Sequence, residues 1–399
     1  ELWKKKQIAK AAEISDITIR EKLIEDIEES FERNELDYGR KLYLIESCIY
    51  GVHIQPIAVQ IAKLRFFISL VVDQKLDDSR DNRGILPLPN LETKFVAANT
   101  LFALNRPQQS ALRNPTIDQK EKELNDVRER HFAARTQRTK QKCRADDARL
   151  RAEISALLKN DGFPRATTEK LAQWDPYDQN NSADFFDPEW MFGIRDGFNI
   201  VIANPPYVSI NALSSQNNPL IDFLRGGSAS LSDYYGVNLH SVPNNQKKYP
   251  PKPNLYAFFF VIANKIAREG GLINFIAPRG ILTAKDLDTL RYFFVNSNCV
   301  SQIVTFKERV FYHKETTAGE IATSSLIIVL EKRKGTECRQ VKVANITLDE
   351  IHNPRFDYIK SEALSANLES WNFITFDPIL SNLVHNYNTN DTADVYYEH

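Results

Sequence analysis

The chain has 399 residues, 26% of them charged and nearly balanced, with a formal net charge of −1. That length buries a full core, one large α/β domain plus part of a second, and the charge balance excludes a global basic field, so any nucleic-acid contact has to be local. Cys48, Cys143, Cys299 and Cys338 lie far apart without C-x-x-C spacing, and no apolar run reaches membrane-spanning length; the expectation is a cytoplasmic protein with reduced thiols, no zinc site and no other metal.

Residues 5–37 read as a helix, with Ile8, Ile14, Ile17, Leu23, Ile24, Ile27 and Phe31 apolar among Lys, Glu and Asp. Asp37-Tyr38-Gly39-Arg40 breaks the pattern. Ile49 to Ile54 is a short strand, and Pro56 suits the first residue of the next helix, where its missing N–H costs nothing. That helix carries Ile57, Val59, Ile61, Leu64, Phe66, Phe67, Leu70 and Val71, apolar nearly all round, so it is expected to be buried against a sheet. Strand, polar turn and buried helix make half of a mononucleotide-binding unit, whose strand-ending residue is usually acidic and holds a ribose hydroxyl. His53 stands there instead, and a neutral imidazole offers one hydrogen bond where a carboxylate offers several. Its alternatives are a ribose contact and plain strand-end packing.

Residues 73–92 are a polar surface loop, and 117–160 a long charged helix or helical pair with a thin apolar seam. Arg128, Arg130, Arg135, Arg138, Lys140, Lys142 and Arg144 make its basic stretch. This is either a phosphate-facing arm or a solvated face tied to its own acidic neighbours. Residues 160–185 read as loop, with Phe185, Phe186 and Trp190 covering a sheet edge.

The most informative stretch is residues 198–207, Phe-Asn-Ile-Val-Ile-Ala-Asn-Pro-Pro-Tyr. An apolar run suited to a buried parallel strand breaks at once into two prolines, which cannot extend a strand inside a sheet. The result is a stiff corner at the carboxyl end of a strand, where open α/β sheets place ligands. Asn204 and the carbonyl of Pro205 offer side-by-side acceptors for an exocyclic amino group, Pro206 stiffens the bend, and Tyr207 offers a face for a purine. The plain alternative is a proline-rich turn with a buried tyrosine.

With its flanks Phe186-Asp187-Pro188-Glu189-Trp190 and Gly197 to Ala203, Asn204-Pro205-Pro206-Tyr207 resembles the catalytic motif of adenine-specific DNA methyltransferases, in particular the type IIG restriction–modification enzymes. The resemblance covers residues 1–350 well and the rest loosely. It implies a Rossmann-like α/β fold with a mixed seven-stranded sheet, S-adenosyl-L-methionine as cofactor, and double-stranded DNA with one adenine flipped out as partner. Leu91 to Leu101 then matches the family's third strand, with Asn99 beside the cofactor's adenine. His53, Ile54, Asn99 and Asn204 become cofactor-binding residues, and His53 departs from the family's Asp. Phe311, after Val310, matches an aromatic residue that stacks on the adenine opposite Tyr207, with Tyr312 the near alternative.

Downstream, 209–253 is a long polar loop, fit for a substrate-ordered lid. Leu255 to Ala267 is a buried helix after Asn254, where the family commonly has Asp. Leu272 to Pro278 is a strand, 285–295 a helix, and 303–306 with 324–331 two antiparallel strands. The expected domains are 1–104, the front of the methyltransferase domain; 105–185, a helical insertion; 186–340, the catalytic part; and 341–399, the opening of a target-recognition region. The family's first strand and Gly-rich turn have no counterpart, and the sequence opens on Glu1 with Met191 its one methionine. The expectation is a piece of a longer product, inactive or poorly folded alone. The alternative to an enzyme is a non-catalytic DNA-binding or complex-forming remnant.

Overall fold

The computed structural model describes residues 36–74, 78–79, 81–85, 89–102, 104, 114–208, 254–308, 310, 324–333 and 338–375, together with residues 8 and 24. It divides into two compact units, Glu1–Arg195 and Asp196–His399.

In the first unit, helix α1 (Leu36–Ser47) leads to strand β1 (Gly51–His53), helix α2 (Pro56–Val72) and strand β2 (Phe95–Ala97). The helix runs straight through Asp37-Tyr38-Gly39-Arg40, where the sequence suggested a break. Tyr38 and Ile45 bury one of its faces, and that burial outweighs the modest propensity cost of one interior glycine. β1 and β2 are parallel, with His53 opposite Ala97. Phe95 packs across Gly51 so closely that a Cβ there would collide with its ring, so this strand starts on the one residue without a side chain. Tyr38, Ile45, Val59, Leu70, Leu91, Phe95 and Phe132 form one core cluster of this unit.

α2 is not buried all round as its composition suggested. Ile57, Ile61, Leu64, Ile68 and Val72 are exposed, while Val59 and Leu70 are buried. Their spacing puts the exposed residues on one face. Apolar composition records that a face favours burial, not that a neighbour covers it.

The charged stretch is a hairpin of two helices, α3 (Pro115–Ala133) and α4 (Gln137–Asn160). Asn114 Oδ1 accepts from the Thr116 N–H at 3.0 Å, and Thr136 Oγ1 from the Thr139 N–H at 3.2 Å, so both start on side-chain caps. A third helix, α5 (Arg165–Gln173), occupies part of the stretch expected as loop. Its Thr167, Thr168 and Leu171 are buried, and Ser155 Oγ of α4 donates to the Thr168 carbonyl at 2.5 Å. Short helix α6 (Pro188–Phe192) is capped by Asp187 and ends at Gly193 in the left-handed region, φ 71°.

In the second unit, strands β3 (Phe198–Ala203), β4 (Ala267–Pro278), β5 (Cys299–Phe306), β6 (Ser325–Glu331), β7 (Gln340–Ile346) and β8 (Asp357–Lys360) form one mixed sheet in the order β3-β4-β6-β5-β7-β8. β3 runs parallel to β4, β6 antiparallel to both β4 and β5, β7 parallel to β5, and β8 antiparallel to β7. Helix α7 (Leu255–Ile266) sits between β3 and β4 in sequence, and α9 (Asp288–Ser297), after one-turn α8 (Gly280–Thr283), precedes β5. α10 (Ser361–Ala366) follows β8. Phe260 joins helix to sheet, its ring 4.7 Å from Phe275 on β4 and 4.8 Å from Phe294 on α9.

Two expectations change here. β3 is an edge strand among the described residues, with Asn199, Ile200 and Ile202 exposed, because only β4 pairs with it. Cys299 and Cys338 form a disulfide. They lie 39 residues apart in sequence, yet β5 and β7 run side by side and bring their Cα atoms to 5.4 Å. Cys48 and Cys143 are free. Among the described residues no group of three or more metal-ligating side chains occurs, and no helix is long and apolar enough to cross a membrane.

Candidate active site

The Asn-Pro-Pro-Tyr corner leaves the sheet at the carboxyl end of β3. Ala203 still pairs with Phe275 of β4, and the next residue has no strand assignment, as two prolines require. Asn204 is exposed, Pro205 buried, Pro206 exposed and Tyr207 half-buried. The Asn204 side chain therefore stays in solvent, with its carbonyl and amide available to a ligand, while Pro205 anchors the bend beneath it. Gly197, at φ 84°, lets the chain enter β3 against the backbone of Ile266 and Arg268, where a Cβ would meet Arg268 N at 2.7 Å.

Tyr207 is held at several points. Val208 beside it accepts from the Leu255 N–H at 2.9 Å, tying the corner to the start of α7. The Tyr256 ring stands edge-on to Tyr207, centroids 6.4 Å apart at 86°. Asn254 Nδ2 in turn donates to the Tyr256 hydroxyl at 3.3 Å. Burial raises the proton affinity of the Tyr207 phenol, and the hydroxyl of Ser325 opposes that. Phe311 and Tyr312 lie outside the described residues, as does the polar stretch 209–253.

In the first unit the structure brings His53 and Asn99 to neighbouring strand ends, since the Ala98 N–H donates to the His53 carbonyl at 3.0 Å. His53 Nδ1 accepts from the Gln55 N–H at 2.9 Å. That bond assigns the neutral imidazole's proton to Nε2, leaving one outward donor. Ile54 is exposed beside it. Asn99 Oδ1 accepts from the Leu101 N–H at 3.1 Å, a side-chain turn that orients the amide. A cavity of about 500 Å³ also opens between α2, β2 and residues 173–185, lined by Lys63, Phe95, Trp174 and Gln179 among others, but by neither His53 nor Asn99.

The basic stretch contributes structure. Arg128 is buried, its Nε on Asp147 Oδ2 at 2.9 Å and its Nη1 on the Trp190 carbonyl at 2.7 Å. Arg151 Nε reaches Asp147 Oδ1 at 2.6 Å and its Nη1 reaches the Trp174 carbonyl. One carboxylate thus holds two guanidiniums, of which Arg128 ties the helical hairpin to α6 and Arg151 ties it to the end of α5. Arg130, Arg135, Arg138 and Lys142 are exposed.

Among known proteins, the family model described as the Eco57I restriction-modification methylase matches residues 47–311, well over half of the chain. The chain belongs to this family. A Methanocaldococcus jannaschii protein described as "Putative type II restriction enzyme and methyltransferase RM.MjaORFECS2P" is 43% identical over 70 residues, which is 17% of this chain and 6% of that protein. The type IIG restriction endonuclease BpuSI is similar over 70% of this chain and 35% of its own, at 16% identity and a TM-score of 0.33. A nuclease-deletion mutant of the Type ISP enzyme LlaGI, bound to a DNA substrate mimic, is similar over 90% and 42% respectively, at 12% identity and a TM-score of 0.31. Structural likenesses at that level decide nothing about activity, and the chain spans less than half of each relative's length.

The cofactor of this methylase family is S-adenosyl-L-methionine. The donor set at the ends of β1 and β2 fits its nucleoside half. His53 Nε2–H can donate to a ribose oxygen, Asn99 keeps an amide N–H pair and a second lone pair for the adenine edge, and Ile54 offers an apolar surface. The fit is looser than a carboxylate's, because His53 cannot accept from a ribose diol while Nδ1 is engaged.

Proposed function

We propose that this methylase is the core of a site-specific adenine methyltransferase of type IIG architecture, acting on an adenine flipped out of double-stranded DNA. The observation that carries the reading is the corner itself: an exposed Asn204 on a buried Pro205, with Tyr207 half-buried beside them at the end of β3. S-adenosyl-L-methionine, when bound, supplies a methyl group already activated by its sulfonium. His53, Ile54 and Asn99 are assigned to its nucleoside. The rest of the task is alignment and charge. Asn204 Oδ1 and the Pro205 carbonyl accept the two amino protons of adenine and stabilise the positive charge that grows on its nitrogen, while Pro206 keeps both acceptors oriented in advance. Tyr207 and Phe311 hold the ring between them, and stacking of about 1–3 kcal/mol per face offsets much of the cost of unpairing.

The test is transfer of labelled methyl from S-adenosyl-L-methionine to DNA by the full-length protein, with the modified base identified. Asn204→Ala is expected to lower kcat by about 100-fold or more while DNA binding persists, as loss of a preorganised acceptor does elsewhere. Methylcytosine as the product would end the adenine assignment. A second reading, a non-catalytic DNA-binding or complex-forming remnant, draws on His53 in place of an acidic residue; it predicts DNA binding by the wild type with no transfer at all.

A further inference from the structure

The hydroxyl of Tyr207 is sealed from solvent without a well-formed hydrogen bond, and so is Oγ of Ser325. Buried hydroxyls are nearly always paired, so two unpaired ones side by side need a reason. Ser325 is wholly buried and opens β6, opposite Pro278 at the end of β4. The two hydroxyls interact: Ser325 favours the ionised phenol, against the burial that disfavours it. Among the described residues the other holds near the tyrosine are Leu255, through the carbonyl of the neighbouring Val208, and Tyr256, at the ring edge. Among the described residues Ser325 is the group at the far end of the side chain, and an O–H···O bond between the two hydroxyls would satisfy both.

We propose that Ser325 is a positioning residue for Tyr207: the hydroxyl pair closes when a flipped base lies on the tyrosine ring, and locks that ring in the stacking plane. This rests on the methylase reading above. In that reading the free site keeps a tyrosine whose hydroxyl end is unpaired, and base entry supplies the contact that brings the two hydroxyls together. Serine suits the position because its hydroxyl rotates to donate or accept as the phenol requires.

The experiment uses the full-length protein and a duplex carrying 2-aminopurine at the target position, whose fluorescence rises on unstacking, beside steady-state methyl transfer on the adenine duplex. Ser325→Ala is expected to lower kcat/KM by about three- to tenfold, the effect of one ordinary hydrogen bond, and to blunt the fluorescence rise. Tyr207→Phe is expected to do the same, and the double variant to be no worse than Tyr207→Phe alone, because both singles remove one bond. Ser325→Thr, which keeps the hydroxyl, restores both signals. Losses that multiply in the double variant, or a Ser325→Ala enzyme indistinguishable from wild type, overturn the proposal. Absence of transfer by the wild type removes the methylase reading and this inference with it; transfer indifferent to Ser325 removes this inference alone.

Discussion

Asp147 offers the sharpest test of how the first unit holds together. Its carboxylate is fully buried and accepts from Arg128 Nε at 2.9 Å and Arg151 Nε at 2.6 Å, with the Tyr177 hydroxyl at 3.4 Å. Asp147→Ala removes two charge-assisted bonds, each worth about 1.5–3 kcal/mol, and leaves Arg128 buried without its carboxylate and Arg151 with Asp175 at 3.7 Å in its place. Breaking a buried pair from one side costs about 3–5 kcal/mol, a large share of the roughly 5–15 kcal/mol that holds a typical domain. With a urea slope of about 2 kcal/mol/M, the midpoint should fall by about 1.5–2.5 M. Two tryptophans report on the site directly, since the Arg128 guanidinium lies 5.4 Å from the Trp174 ring centroid and bonds the Trp190 carbonyl. Their fluorescence during urea unfolding is the assay. Asp147→Asn keeps one carbonyl acceptor and should lose about half as much. If Asp147→Ala unfolds within about 0.3 M of wild type, the two guanidiniums are satisfied without the carboxylate and the reasoning fails.

Two further predictions concern burial. Arg291 is wholly buried and donates to the carbonyls of Ile281, Ala284, Leu368 and Glu369 at 2.6–2.9 Å; Arg291→Met strands those acceptors and should cost the second unit about 3–5 kcal/mol, read by Trp371 fluorescence in urea. His131 is fully buried, and burial chiefly holds its proton affinity below the ordinary histidine range, with Arg144 and Lys140 adding to the effect and Glu92 and Asp147 opposing it. The unfolded chain then binds that proton more readily, so the contribution of His131 is complete above about pH 6.5 and is lost as the pH falls below it. Wild type should lose more stability than His131→Gln between pH 7.5 and 5.5; equal losses refute the assignment.

The parts of the molecule that residue order alone revealed are those whose causes are local. Two prolines end β3 wherever they stand, and the apolar runs of α7, β5 and β6 need no distant partner to be read. What stayed hidden was set by distance or by water. The Cys299–Cys338 pair depends on two strands meeting across 39 residues of sequence. Arg128 and Asp147 carry the composition of a surface helix and are buried all the same, because each satisfies the other. α2 is apolar enough for a core and still shows one face to solvent, and Ser325 carries no motif at all. A serine opening a strand is ordinary until the group opposite it is known.

The lattice of oxygens around Arg291 carries a consequence for how this half of the protein can change over generations. All four acceptors belong to the main chain, which every amino acid possesses. So far as these four bonds are concerned, positions 281, 284, 368 and 369 are at liberty to drift in identity, because a carbonyl persists whatever side chain its residue carries.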